Sequence, residues 1–267
     1  MTMDQLNRAQ APFPDEVWEH IDAAVIDAAK PMLTGRRFID LDGPFGLGMT
    51  ALELGSEEAI AQADDDQASA TISRAASVPM LRKSCHLSAR RLAAHLDMGT
   101  PLNLAAVEDA AEAVARREES LLYYGQSELG LHGLLTASGS NSAPWSDWNK
   151  LDAVLNDVLA AITVLDDAGF IGPYALALPA GPYNNLFRRY ENTDLLQIEH
   201  LKTLCTNGVY KAAVDQPVVV DERVGVMVLG QDMHAGYAGF DGIDYRLFVS
   251  ESLVLRIDEP RAICVLK

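Results

Sequence analysis

Residues 18–46 read WEHIDAAVIDAAKPMLTGRRFIDLDGPFG and carry three local instructions in succession. With the residues just before them, they place apolar side chains at Val17, Trp18, Ile21, Val25, Ala28, Ala29 and Met32. That is the spacing of one face of an α-helix and predicts a helix over Pro14 to Leu33. Asp15 and Glu16 fall in its first turn, where negative charge meets the positive end of the helix dipole. Pro31 lacks a backbone N–H and crowds the preceding turn, so the helix is expected to end or kink near it. Arg36 to Leu41 then alternates and predicts a short strand, and Gly43-Pro44-Phe45-Gly46 turns the chain.

Working outward, Glu53 to Ser77 changes character. Small and polar residues surround Asp64-Asp65-Asp66, with little material for a core, which reads as a protruding hairpin or loop. A segment of that length without core residues usually acts outside its own domain, for example on a neighbouring subunit. Leu104 to Tyr124 carries a helical stripe (Leu104, Val107, Ala111, Val114, Ala115, Leu121, Leu122) that Gly125 stops. A second helix is predicted over Leu151 to Asp167, with Asp147 or Asn149 available to cap it. Tyr174 to Leu178 reads as a buried strand, followed by short helical pieces at Tyr183–Tyr190 and Asp194–Cys205. Val218–Val220 and Val224–Leu229 flank Asp221-Glu222-Arg223 as a hairpin. Tyr245 to Ile257 alternates, with Leu247, Val249, Leu253, Leu255 and Ile257 on one face, interrupted by Glu251. Arg246, Ser250, Ser252 and Arg256 form a polar opposite face. Helices and strands mix without a βαβα rhythm, which makes the fold class α+β.

The 267 residues are 49% hydrophobic, enough for a substantial core. Against 38 acidic residues stand 21 Lys and Arg, a formal charge of −17. Nucleic-acid partners are disfavoured, because binding a phosphate backbone requires the opposite sign; anionic membrane surfaces are disfavoured likewise. Cys85, Cys205 and Cys264 are too far apart for a disulfide framework or a zinc motif. No apolar run approaches the ~20 residues that span a bilayer, and no leader pattern opens the chain, so it reads as cytosolic.

Catalytic patterns are missing. There is no G-x-S-x-G elbow, P-loop, G-x-G-x-x-G or H-E-x-x-H. Cys85-His86 lacks further ligands, and His20 with Glu16 reads as a surface contact at i,i+4 spacing. The carboxylate pairs Glu118-Glu119 and Asp166-Asp167 are read as lying on solvated faces. A serine hydrolase or peptidase built on Ser138 or Ser140 with His132 lacks an identifiable acid.

An ordered set of short matches spans nearly the whole chain. It comprises Ala11-Pro12, Trp18 with Ile21-Asp22, Gly35-Arg36-Arg37-Phe38-Ile39-Asp40, Gly43-Pro44-Phe45-Gly46, Tyr124-Gly125, Gly130 with Gly133-Leu134-Leu135, and Gly172-Pro173-Tyr174. Leu229-Gly230-Gln231-Asp232, Gly236-Tyr237, Arg246-Leu247-Phe248 and Ala262-Ile263-Cys264-Val265-Leu266 complete it. In this set the chain resembles the encapsulins, shell proteins of bacterial nanocompartments that share the tailed-phage major capsid fold. The resemblance implies a peripheral domain (1–50, 79–133 and 226–256), an extended loop (51–78) that pairs with a neighbouring subunit, and an axial domain (134–225 and 257–267). It implies self-assembly into an icosahedral homo-oligomer, sixty copies for the smallest shell, in the bacterial cytoplasm. It also implies loading of a cargo enzyme, of peroxidase or ferritin-like type, through the cargo's C-terminal targeting peptide.

By matching position, that peptide is expected to dock on Val25, Ala29, Leu33, Arg36 and Asp40, with Asp232, Met233, His234 and Ala235 opposite. Tyr190, Glu191, Asn192, Thr193 and Asp194 are expected at a fivefold pore. Some family members stack a flavin on a Trp just before the long helix. Here Ser88-Ala89-Arg90-Arg91-Leu92 has no aromatic residue, so no cofactor is expected. The competing readings are a phage major capsid protein within the same fold and, further off, the serine hydrolase.

Overall fold

The computed structural model describes residues 5–61, 70–150, 153–189 and 194–267. Pro14 leads into helix α1 (Asp15–Ala29), which buries Val17, Trp18, Ile21, Val25 and Ala29 and closes two residues before Pro31. The strand expected over 36–41 is a correction. Gly35–Arg37 forms a 3-10 turn, and the strand β1 is only Asp40–Asp42. Phe38 and Ile39, adjacent in sequence, are both buried, which a strand with one covered face does not allow. Gly35 is required at the turn: a Cβ there would lie 1.9 Å from Leu122 Cδ2.

The polar stretch that follows folds as strand β2 (Ala51–Ala61) paired antiparallel with β3 (Ala70–Ser77), a two-stranded sheet of its own. Its base is fastened where Met49, Leu52 and Ala76 pack on Val78, Val228 and Val254. Next come β4 (Met80–Ser88), α2 (Ala89–Met98) and the twenty-residue α3 (Ala105–Tyr124). Two short strands, β5 (Gly125–Gln126) and β6 (Leu131–His132), pair before β7 (Asn141–Ala143).

Helix α4 (Ala153–Asp167), strand β8 (Tyr174–Leu178), α5 (Ala180–Asn185), α6 (Gln197–Leu204), β9 (Gly208–Lys211) and β10 (Val218–Asp221) build the second half. The long strands β11 (Gly225–Phe240) and β12 (Asp244–Ile257) and the terminal β13 (Ile263–Leu266) complete the fold. A four-stranded sheet has the order β1-β11-β12-β4 and a five-stranded sheet the order β7-β13-β10-β8-β9, and one hydrophobic cluster spans both.

The sheet assignments correct two further expectations. β10 and β11 are not a hairpin: β10 lies between β13 and β8, and the turn Glu222–Val224 carries the chain into the other sheet. Val218, Val219 and Val220 are buried on both faces, the mark of a central strand. Asp221 fixes the crossover, its carboxylate accepting from Arg223 N–H at 3.0 Å and Gly172 N–H at 2.8 Å. On β12 the supposedly polar face is largely covered, because the strand is central. Phe248, Ser250, Ser252 and Val254 are all buried, and Ser252 Oγ accepts from Gln231 N–H at 2.9 Å.

Candidate functional site

The last two turns of α1, the segment 30–37 and the bulged part of β11 enclose an open cavity of about 440 Å³. Val25, Ile26, Ala29, Leu33 and Met233 give it apolar walls, and Lys30, Arg36, Arg37 and Asp232 edge it with charge. Six of the nine residues expected to dock a peptide therefore meet here: Val25, Ala29, Leu33, Arg36, Asp232 and Met233.

The other three do not line this groove. Asp40 sits on β1 opposite Val226, in a separate shallow depression with Arg223, Arg256 and Asp258. His234 is exposed opposite Ser250 in the β11–β12 ladder. Ala235 is fully buried, and its carbonyl accepts from Arg8 Nε at 2.9 Å. Ile26, Lys30 and Arg37 are lining residues that the sequence reading missed. Ile26 carried a signal, an apolar side chain outside the buried stripe of α1, and it is 57% exposed.

Arg36 does not face outward to hook a ligand, nor does it pair with Asp40. Its Nε and Nη2 donate to the two oxygens of Glu118 at 2.8 Å each. Nη1 donates to Asp232 Oδ1 at 2.7 Å, and Nη2 also donates to Glu251 Oε2 at 3.0 Å. Burial works against the charge, but Glu118, then Asp232 and Glu251, outweigh it and hold the guanidinium above its ordinary pKa. Asp232 is affected in reverse: burial would raise it, and Arg36 holds it below the usual carboxylate range.

The expectation that Glu118-Glu119 faces solvent is overturned, since both are buried. The helical period explains it. Glu118 continues the row Val114–Leu122 and Glu119 the row Ala115–Tyr123, so both point into the core. Each acid found partners there. Glu119 accepts from Thr34 Oγ1 and from Gly35 N–H at 3.0 Å, and Thr34 Oγ1 shares a 2.8 Å hydrogen bond with Tyr123 Oη. Burial nonetheless pushes the Glu119 carboxyl up to about 7. Burial, then the charge of Glu118, holds Glu251 well above the carboxylate range.

Of the expected pore residues, Tyr190, Glu191, Asn192 and Thr193 lie outside the described residues. Asp194 is exposed and paired with Arg189 at 3.0 Å. Of the hydrolase candidates, His132 pairs with Gly125 in the β5–β6 ladder and Ser140 N–H donates to Ala137 O. Cys85 is buried while His86 is exposed on the opposite face of β4. Among the described residues no group of three or more His, Cys, Asp or Glu could hold a metal ion. Among them, too, no helix is long and apolar enough to cross a membrane.

This architecture is that of capsid and shell proteins. The virus-like particle of Pyrococcus furiosus superposes with a TM-score of 0.73 at 22% identity, over 94% of this chain and 100% of that one. The capsid of Myoviridae phage XM1 superposes with a TM-score of 0.62 at 16% identity, over 88% and 91%. The chain thus has the tailed-phage major capsid fold.

Sequence comparison narrows the class. The chain is 31% identical over 278 residues to a type 1 encapsulin shell protein of Myxococcus xanthus, covering 99% of this chain and 96% of that protein. It is 33% identical over 264 residues to a diheme-cytochrome–encapsulin shell fusion protein of Kuenenia stuttgartiensis, covering 94% and 73%. A family model, Linocin_M18, described as an encapsulating protein for peroxidase, matches residues 3–254, and the chain belongs to this family of encapsulin shell proteins.

Proposed function

We propose that the chain assembles into a closed icosahedral cage and that the groove between α1 and β11 receives the C-terminal targeting peptide of a cargo enzyme. The observation that carries the docking reading is the groove itself. Five apolar side chains line a concave face, and Ile26 remains more than half exposed at its edge. Apolar walls with a few fixed polar groups are how a short peptide is bound and oriented. Arg36 acts here as the anchor that holds Asp232 at the groove's edge, leaving Asp232 to meet the peptide's donors.

Within the cage, the four-stranded sheet with α1 and α3 corresponds to the peripheral domain, and the five-stranded sheet to the axial domain. The β2–β3 hairpin is the extended loop that reaches a neighbouring subunit. Asp194 lies at the fivefold pore, and sixty copies form the shell. The cage works in the bacterial cytoplasm and itself does no chemistry. The family description names a peroxidase as the encapsulated protein, and one relative in Pyrococcus furiosus is a ferritin-like–encapsulin shell fusion, so cargo of either kind fits. The match to the encapsulin shell family argues against a phage capsid.

Ile26→Glu tests the docking assignment. Ile26 is exposed, so the substitution leaves the subunit's fold intact while replacing part of the groove's apolar wall with a carboxylate that an apolar anchor cannot cover. Shells purified from the native host should then be empty. Shells that retain their full complement of native cargo would remove the groove from the loading mechanism.

A further inference from the structure

Beneath the groove three carboxylates, on Glu118, Asp232 and Glu251, share the single guanidinium of Arg36. Glu118 and Glu251 are both completely buried. Two buried anions facing each other with one cation between them leave a net negative charge that the core cannot solvate.

The hydrogen bonds distribute unequally. Glu118 accepts two bonds from Arg36, one on each oxygen, the bidentate geometry that stabilises an ionised carboxylate. Glu251 accepts only one, on Oε2, and its Oε1 is buried without a hydrogen-bond partner. An ionised oxygen in that position gives up its hydration with no hydrogen bond in return. Glu118 Oε2 and Glu251 Oε2 both accept from Arg36 Nη2, at 2.8 and 3.0 Å, which sets the two carboxylates side by side. Two carboxylates can satisfy each other only when one of them carries a proton.

We infer that Glu251 is kept in the fold as a neutral carboxylic acid that donates its proton to Glu118, and that this pair, through Arg36 and Asp232, positions the polar edge of the groove. Glu251 is a positioning residue: it touches no ligand, and it lies between β4 and the bulged strand that carries Asp232 and Met233. The charged and titratable groups around it are few. Glu118 faces it from α3, Arg36 from the 35–37 turn and Asp232 from β11; its β4 partner is the apolar Leu81. Arg36 is the base among these and the rest are acids, so ionising Glu251 as pH rises adds negative charge and loosens the edge of the groove.

The role in docking rests on the groove reading above, but the proton is measured without cargo. Infrared spectra of assembled shells carrying Glu119→Gln, in which Glu119 contributes nothing, should show the carbonyl band of a protonated carboxylic acid at neutral pH. Adding Glu251→Gln should abolish it. In hydrogen exchange, Glu251→Gln should protect residues 229–236 as the parent does, because the amide also donates to Glu118. Glu118→Gln, which removes the counter-charge of Arg36, should accelerate exchange there about tenfold, equivalent to about 1.4 kcal/mol. A band that survives Glu251→Gln overturns the inference, as does Glu251→Gln loosening 229–236 as much as Glu118→Gln. Should the double variant fail to assemble, absence of the band from Glu119→Gln shells at about pH 6 overturns it too. Loss of cargo by Ile26→Glu is read separately, so failure of the docking assignment leaves these results standing.

Discussion

Glu119→Gln removes one buried ionisable group while keeping its shape. In the parent, Gly35 N–H and Thr34 Oγ1 each donate to one oxygen of Glu119. In the variant the amide oxygen still accepts from Gly35, and the amide nitrogen donates to Thr34, whose proton turns to Tyr123. The hydrogen-bond pattern survives and the titration does not. Burial holds the Glu119 carboxyl at about 7 against an ordinary value of 4.5. At about 1.4 kcal/mol per unit, ionising it inside the fold costs about 3 kcal/mol.

Because the folded value is raised, the stabilising balance is fully present below 4.5 and is lost as pH rises through about 7. Denaturant unfolding of the parent and variant, at matched protein concentration and assembly state, should therefore give a stability difference that depends on pH. Between about pH 4 and about pH 8 the difference should move by about 3 kcal/mol in favour of the variant. A difference that is constant with pH, or one that moves towards the parent in alkali, would refute the reasoning.

Arg36→Met leaves Glu118 and Asp232 without their counter-charge. It should destabilise the subunit by about 3–5 kcal/mol, more at alkaline than at acid pH, as read by denaturant unfolding. Gly35→Ala places a Cβ 1.9 Å from Leu122 Cδ2, in a region where Leu122 is itself buried and cannot swing away. A loss of about 1–3 kcal/mol, with faster exchange across the 30–37 segment, is expected.

Much of this fold was legible because period and burial agree. Tyr174–Leu178 matches its strand residue for residue, and the stripes of α1 and α3 largely became their buried faces. α2 went unread because only Leu92 of its ten residues is buried, which leaves no stripe to find. Sheet membership was also not local: nothing between Val218 and Leu229 reveals that the chain changes sheets at Asp221.

The site was half legible. The resemblance brought Val25, Ala29, Leu33 and Met233 to one groove, but could not say what Arg36 faces. That depends on Glu118 and Glu251, residues 82 and 215 positions away. The signal for Glu118 and Glu119 lay in the helical rows of α3. Pairing two adjacent acids by composition, as a solvated face, overrode a period that placed both inside.

Self-closure into a cage stands or falls most directly on the mass of the purified full-length protein under native conditions. Sixty subunits of 28.9 kDa give a particle in the megadalton range, and native mass spectrometry should find one narrow species there, with any excess mass assignable to cargo. A monodisperse species at 28.9 kDa at working concentration would contradict it.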